Sequence, residues 1–76
     1  MKRPLSFLLR HPNVNKGGIP VALEQDLAGE NDAIARYIAR VKQSEALDLY
    51  HLAQQLRGIL AIEQEHAMDL EQALGK

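Results

Sequence analysis

Apolar residues recur along this chain with the period of an α-helix in two separate runs. The first begins at Val21 and carries Leu23, Leu27, Ile34, Tyr37, Ile38 and Val41 at spacings of three and four. Pro20 opens it, and proline suits a first helical turn because its missing N–H would have no partner there. Ahead of it, "RHPNVNKGGIP" (10–20) combines Pro, Gly and Asn and reads as loop. The stripe predicts a helix from about Pro20 to near Gln43, where "SEALD" (44–48) interrupts it. Asp48 is a plausible N-cap for the second run, which places Leu49, Leu52, Leu56, Ile59, Leu60, Leu70 and Leu74 on one side. Gly75 fits its stop. Aromatics are limited to two Tyr and one Phe, and β-branched residues are few in this region, which argues against a sheet. The fold class is therefore all-α, an antiparallel helical hairpin over residues 20–76 behind an N-terminal arm, residues 1–19. Two helices cannot cover both stripes. In a chain with no cysteine staple, pairing two hairpins into a four-helix bundle is the simplest remedy.

Polar residues intrude on both stripes. In the second, the order is Leu56, Ile59, Glu63, His66, Leu70, Leu74, so a glutamate and a histidine stand where core residues belong. In the first, Glu30 falls between Leu27 and Ile34. At a rise of about 1.5 Å per residue, Glu30 lies roughly 20 Å from the turn, Glu63 roughly 23 Å and His66 roughly 27 Å. Across an antiparallel hairpin the three come to about the same level. A two-fold dimer would gather two such sets, and four ionised carboxylates buried without partners would be prohibitively costly. Two divalent cations would balance them. Carboxylate oxygen with imidazole nitrogen suits iron or manganese, and zinc also fits the donor set. The site would then arise from assembly.

The remaining candidates carry less. Glu65 and Glu24 point off the ligand side and read as solvated helix charges; His51 reads as a surface or capping residue. His11 sits in the loop beside Pro12, and nothing around Met68 marks a haem pocket. Tyr37 reads as a core residue whose hydroxyl finds a partner.

Composition adds limits more than direction. With 76 residues the chain is one small domain, and its net charge is −1. Lys2, Arg3, Arg10 and Lys16 make the first twenty residues basic with no acid, while the remainder is acidic. Nucleic-acid contact through that arm is disfavoured by the acidic body. "LSFLL" is too short for a signal-peptide core and runs into Arg10, and no stretch approaches membrane-spanning length. A cytoplasmic protein without membrane contact is expected. The lack of cysteine removes thiolate metal sites and thiol nucleophiles, and no serine sits in a recognisable catalytic motif.

"DLAGENDAIARY" (26–37) followed by "ILAIEQEHAMDLEQAL" (59–74) resembles the third and fourth helices of the ferritin-like superfamily, most like those of bacterioferritin. The matching pattern is a Glu in a D-L-x-x-E context on one helix and E-x-x-H on the next, met by Glu30, Glu63 and His66. The resemblance implies a di-iron carboxylate protein that binds and oxidises Fe(II) or stores iron. Glu63 would bridge the two ions, Glu30 and His66 would be terminal ligands, and Tyr37 would lie beside the centre. It spans about residues 22–75 and departs from the family in one respect: only the second helix pair is there. The chain then either restores the site as a homo-oligomer, at least a dimer, or is a relic hairpin that serves as a structural interaction module without metal.

Overall fold

The computed structural model describes residues 18–76, so the arm and the greater part of its loop, with His11 and Lys16, lie outside the described residues. Helix α1 runs Gly18–Ala46 over 29 residues, and α2 runs Tyr50–Ala73 over 24. The two pack antiparallel as a hairpin, and the described residues contain no strand.

The "SEALD" interruption is shorter than its sequence suggests. Helix α1 continues through Ser44 to Ala46, and only Leu47, Asp48 and Leu49 lie between the helices. Ser44 is almost fully buried, three residues past buried Val41 on the same stripe. Asp48 does not cap α2. Leu49 takes the N-cap position, with no side-chain hydrogen bond to the helix, and Asp48 adopts a left-handed backbone with φ +62°. Its conformation serves the end of α1 instead. The Asp48 N–H donates to the Glu45 carbonyl at 3.0 Å and the Leu49 N–H to the Ser44 carbonyl at 2.8 Å. Those two bonds satisfy carbonyls that a helix C-terminus otherwise leaves without partners. The Asp48 carboxylate accepts a hydrogen bond from the Tyr50 hydroxyl at 3.1 Å.

Helix α2 ends by the same device. Gly75, at φ +78°, donates to the Gln72 carbonyl, and the Lys76 N–H donates to Glu71 at 2.9 Å. Here the left-handed position holds glycine, which has no Cβ to clash.

The core is concentrated at the open end, away from the turn. Leu23 and Leu27 of α1 pack with Ala67 and Leu70 of α2, flanked by Ile34 and Leu74. Toward the turn the buried residues are Val41, Ser44 and Ala53, two of them small. Five residues of the expected stripes face solvent instead: Val21, Ile38, Leu49, Leu52 and Ile59 are 37–47% exposed. Among the described residues each helix packs against one other helix, so the buried arc is narrower than the apolar arc the sequence supplies.

Candidate metal centre

Glu30 sits one turn beyond Leu27 on α1, and Glu63 and His66 sit one turn apart on α2, just before Ala67 and Leu70. The open-end core therefore holds both backbones at a fixed separation directly beside these three side chains. Their potential donor atoms all lie within 4.8 Å of one another. His66 Nδ1 is 3.5 Å from Glu30 Oε2 and 3.9 Å from Glu63 Oε1. The three residues expected to meet across the hairpin do meet.

All three side chains are largely withdrawn from water, with 13%, 24% and 20% of their surface left exposed for Glu30, Glu63 and His66. Burial raises the Glu30 carboxyl from its ordinary 4.5 to about 7; a hydrogen bond with Glu63, the Glu63 charge and the Asp26 charge add to the rise. The two glutamates thus form a pair in which ionising Glu30 is opposed by desolvation and by like charge.

Asp26, the first residue of the D-L-x-x-E pattern, is a contributor to which sequence reasoning gives no role. It is half-buried one turn before Glu30, and its charge reaches the Glu30 carboxyl. The i, i+4 spacing from Asp26 to Glu30 is the signal that could have found it. Tyr37 lies two turns after Glu30 and is half-buried, and among the described residues its hydroxyl makes no hydrogen bond to the three. Glu65 is half-buried and engaged, so it is not the solvated charge expected of it. Glu24 is exposed and pairs with Lys76 at 3.2 Å, His51 is exposed, and Met68 is 60% exposed.

The donor set can be tested against a metal ion on its own geometry. Glu30 Oε1 is buried with no hydrogen-bond partner, an arrangement that native interiors rarely leave without a reason. Ligands on a common ion stand ~2.0–2.2 Å from it, and hence ~3–4 Å from each other. The 3.5 and 3.9 Å separations fall in that span. Two carboxylates with one imidazole fit a divalent first-row cation. Protein-family models, curated proteins and solved structures give no match to the chain.

Proposed function

We propose that the chain is a ferritin-like di-iron carboxylate protein whose metal site is completed when two hairpins pair. Support comes from one observation above all: Glu30, Glu63 and His66, drawn from two helices, converge with a buried Glu30 oxygen that has no hydrogen-bond partner. Three donors are half of a carboxylate-bridged two-metal site, and a second copy would supply the other half. In this reading Glu30, Glu63 and His66 would hold the metal, Glu63 as the bridging ligand and Glu30 and His66 as terminal ligands. Iron bound there would supply the redox chemistry of Fe(II) oxidation, with manganese or zinc as alternative occupants of the same donors. The chain's own part is to fix the three donors, hold the Glu30 proton until a cation displaces it, and limit water around the pair. Iron storage or ferroxidase activity follows if the sites bind and turn over iron.

Native mass spectrometry after anaerobic Fe(II) loading tests this. The expected species is a dimer, or a multiple of it, with two metal ions per pair of chains, and Glu63→Ala should abolish paired binding. Unchanged metal stoichiometry in that variant would sink the assignment. The rival reading, a metal-free assembly module, is favoured by the exposed apolar side chains of α2 and predicts an oligomer indifferent to chelator.

A further inference from the structure

Three acids at the open end are withdrawn from water further than α1 and α2 account for. Glu65 and Asp69 stand one turn apart on α2 and lie about 160° around the helix from Ala67, which packs in the core with Leu23 and Leu27 of α1. They therefore face away from α1. Both are nevertheless half-buried, while Ala61, Met68 and Gln72 on the same outward face are exposed. On α1, Asp26 lies about 160° around from exposed Glu24, and one of its carboxylate oxygens is fully withdrawn from water. Asp26 precedes Glu30 by one turn and Asp69 follows His66 by one turn, so antiparallel packing sets these two acids at about the same level.

A carboxylate taken out of water needs a compensating cation or donor, and both Asp26 and Glu65 are engaged with partners. The cations of residues 18–76 are placed elsewhere. Lys76 holds Glu24 on the other side of α1, and Arg57 holds Glu45 near the turn. Arg36, Arg40 and Lys42 begin about 15 Å along α1 from Asp26 and run toward the turn. The remaining four, Lys2, Arg3, Arg10 and Lys16, all precede α1 in a stretch with no acid.

Reach and direction are compatible with those four. Helix α1 opens on Gly18 at φ +78°, the left-handed conformation that lets a chain turn sharply. From Arg10 to Gly18 the chain spans up to about 27 Å. The level of Glu65 is only about 18 Å along α1 from Gly18.

We infer that the acidic surface of Asp26, Glu65 and Asp69 is the docking site for the chain's own basic arm, residues 2–16. The arm's cations meet the three carboxylates, so the basic start and acidic body of the sequence are two halves of one contact. The contact is intramolecular and uses none of the candidate metal ligands. It borders them, because Glu65 and Asp69 flank His66 along α2.

The chain has no cysteine, so Ser6→Cys takes one spin label within the arm of the full chain. With chelator present, which separates this test from metal loading, the label should broaden the amide signals of Asp26, Glu65 and Asp69. Glu65→Gln with Asp69→Asn should reduce that broadening severalfold; broadening that is absent, or unchanged by the double substitution, overturns the proposal. Isotope-labelled chains without the nitroxide, mixed with nitroxide-labelled chains, should show none. Broadening in that mixture would mean that the arm of a second copy fills the site, and it overturns the intramolecular contact. Trypsin supplies a second readout on the unlabelled chain. Cleavage after Arg10, taken relative to cleavage after Arg57 inside α2, should rise ~10-fold in the doubly substituted chain. The Arg57 rate corrects for any general unfolding, and an unchanged ratio also overturns the proposal.

Discussion

The open half and the turn half of this hairpin are built on different principles. At the open end, Leu23, Leu27 and Leu70 interlock around Ala67, and the same packing positions the three polar side chains of the candidate centre. At the turn, Ala53 and Ser44 are buried while Leu47, Leu49, Tyr50 and Leu52 are exposed, so little aliphatic surface is removed from water. Stability and chemistry are thus drawn from the same turns of helix. The turn half contributes connection, charge and an uncovered apolar surface. Burying Glu30 beside Glu63 is affordable only where a leucine cluster already fixes the helices. Moved to the turn half, the same residues would be hydrated and chemically ordinary.

Substitutions can break this contrast in order of size. Leu70→Ala in the open-end core should cost about 2–4 kcal/mol and leave so small a hairpin largely unfolded by circular dichroism. Leu47→Ala at the turn should change stability by less than about 0.5 kcal/mol. Equal losses for the two would erase the distinction between the halves.

Glu30 offers the next largest effect, and its sign follows from linkage. Its carboxyl is raised from 4.5 to about 7 in the folded chain, so folding favours the protonated form. The stability this group contributes is complete below about pH 4.5 and is lost as pH rises through about 7. Glu30→Gln has no proton to lose. In metal-free protein the variant should gain on the wild type between acid and mildly alkaline pH, on the order of 1–2 kcal/mol after discounting for solvent access. Thermal melts of both proteins across that range measure the gap. A gap that does not grow with pH would mean Glu30 ionises freely. Divalent cation should reverse the order, stabilising wild type and not Glu30→Gln, because the cation favours the ionised pair.

A smaller test concerns the two helix ends. Both use a left-handed residue with the same pair of hydrogen bonds, but α2 has Gly75 there and α1 has Asp48. Asp48→Gly relieves the Cβ clash and should raise stability by about 0.5–1 kcal/mol, partly offset by loss of the Tyr50 hydrogen bond. A fall in melting temperature would show that the Tyr50 contact outweighs the backbone strain. Smallest of all is the Glu24–Lys76 pair, which is more than half exposed at both side chains. Lys76→Ala should shift stability by less than about 0.5 kcal/mol, and less still at high salt.

Much of the hairpin is legible in residue order because helical periodicity is local. The stripes through Leu23, Leu27 and Leu70, the stop at Gly75 and the level at which Glu30, Glu63 and His66 meet all follow from a 3.6-residue period and a short connection. What residue order leaves open is how wide an arc each helix buries. Ile59 and Leu52 look like core in a stripe, yet they are exposed because, among the described residues, α2 packs against α1 on one side only. Ser44 and Ala53 look indifferent, yet they are buried where the helices converge on the turn. Asp48 has the composition of an N-cap, and its role at the end of α1 is set by a backbone angle that composition does not encode. The sequence by itself determined two helices, their antiparallel order and the level at which Glu30, Glu63 and His66 meet. Only the tertiary structure decided how far the Glu30 carboxyl is withdrawn from water, since desolvation depends on what packs around a group and not on its neighbours in the chain.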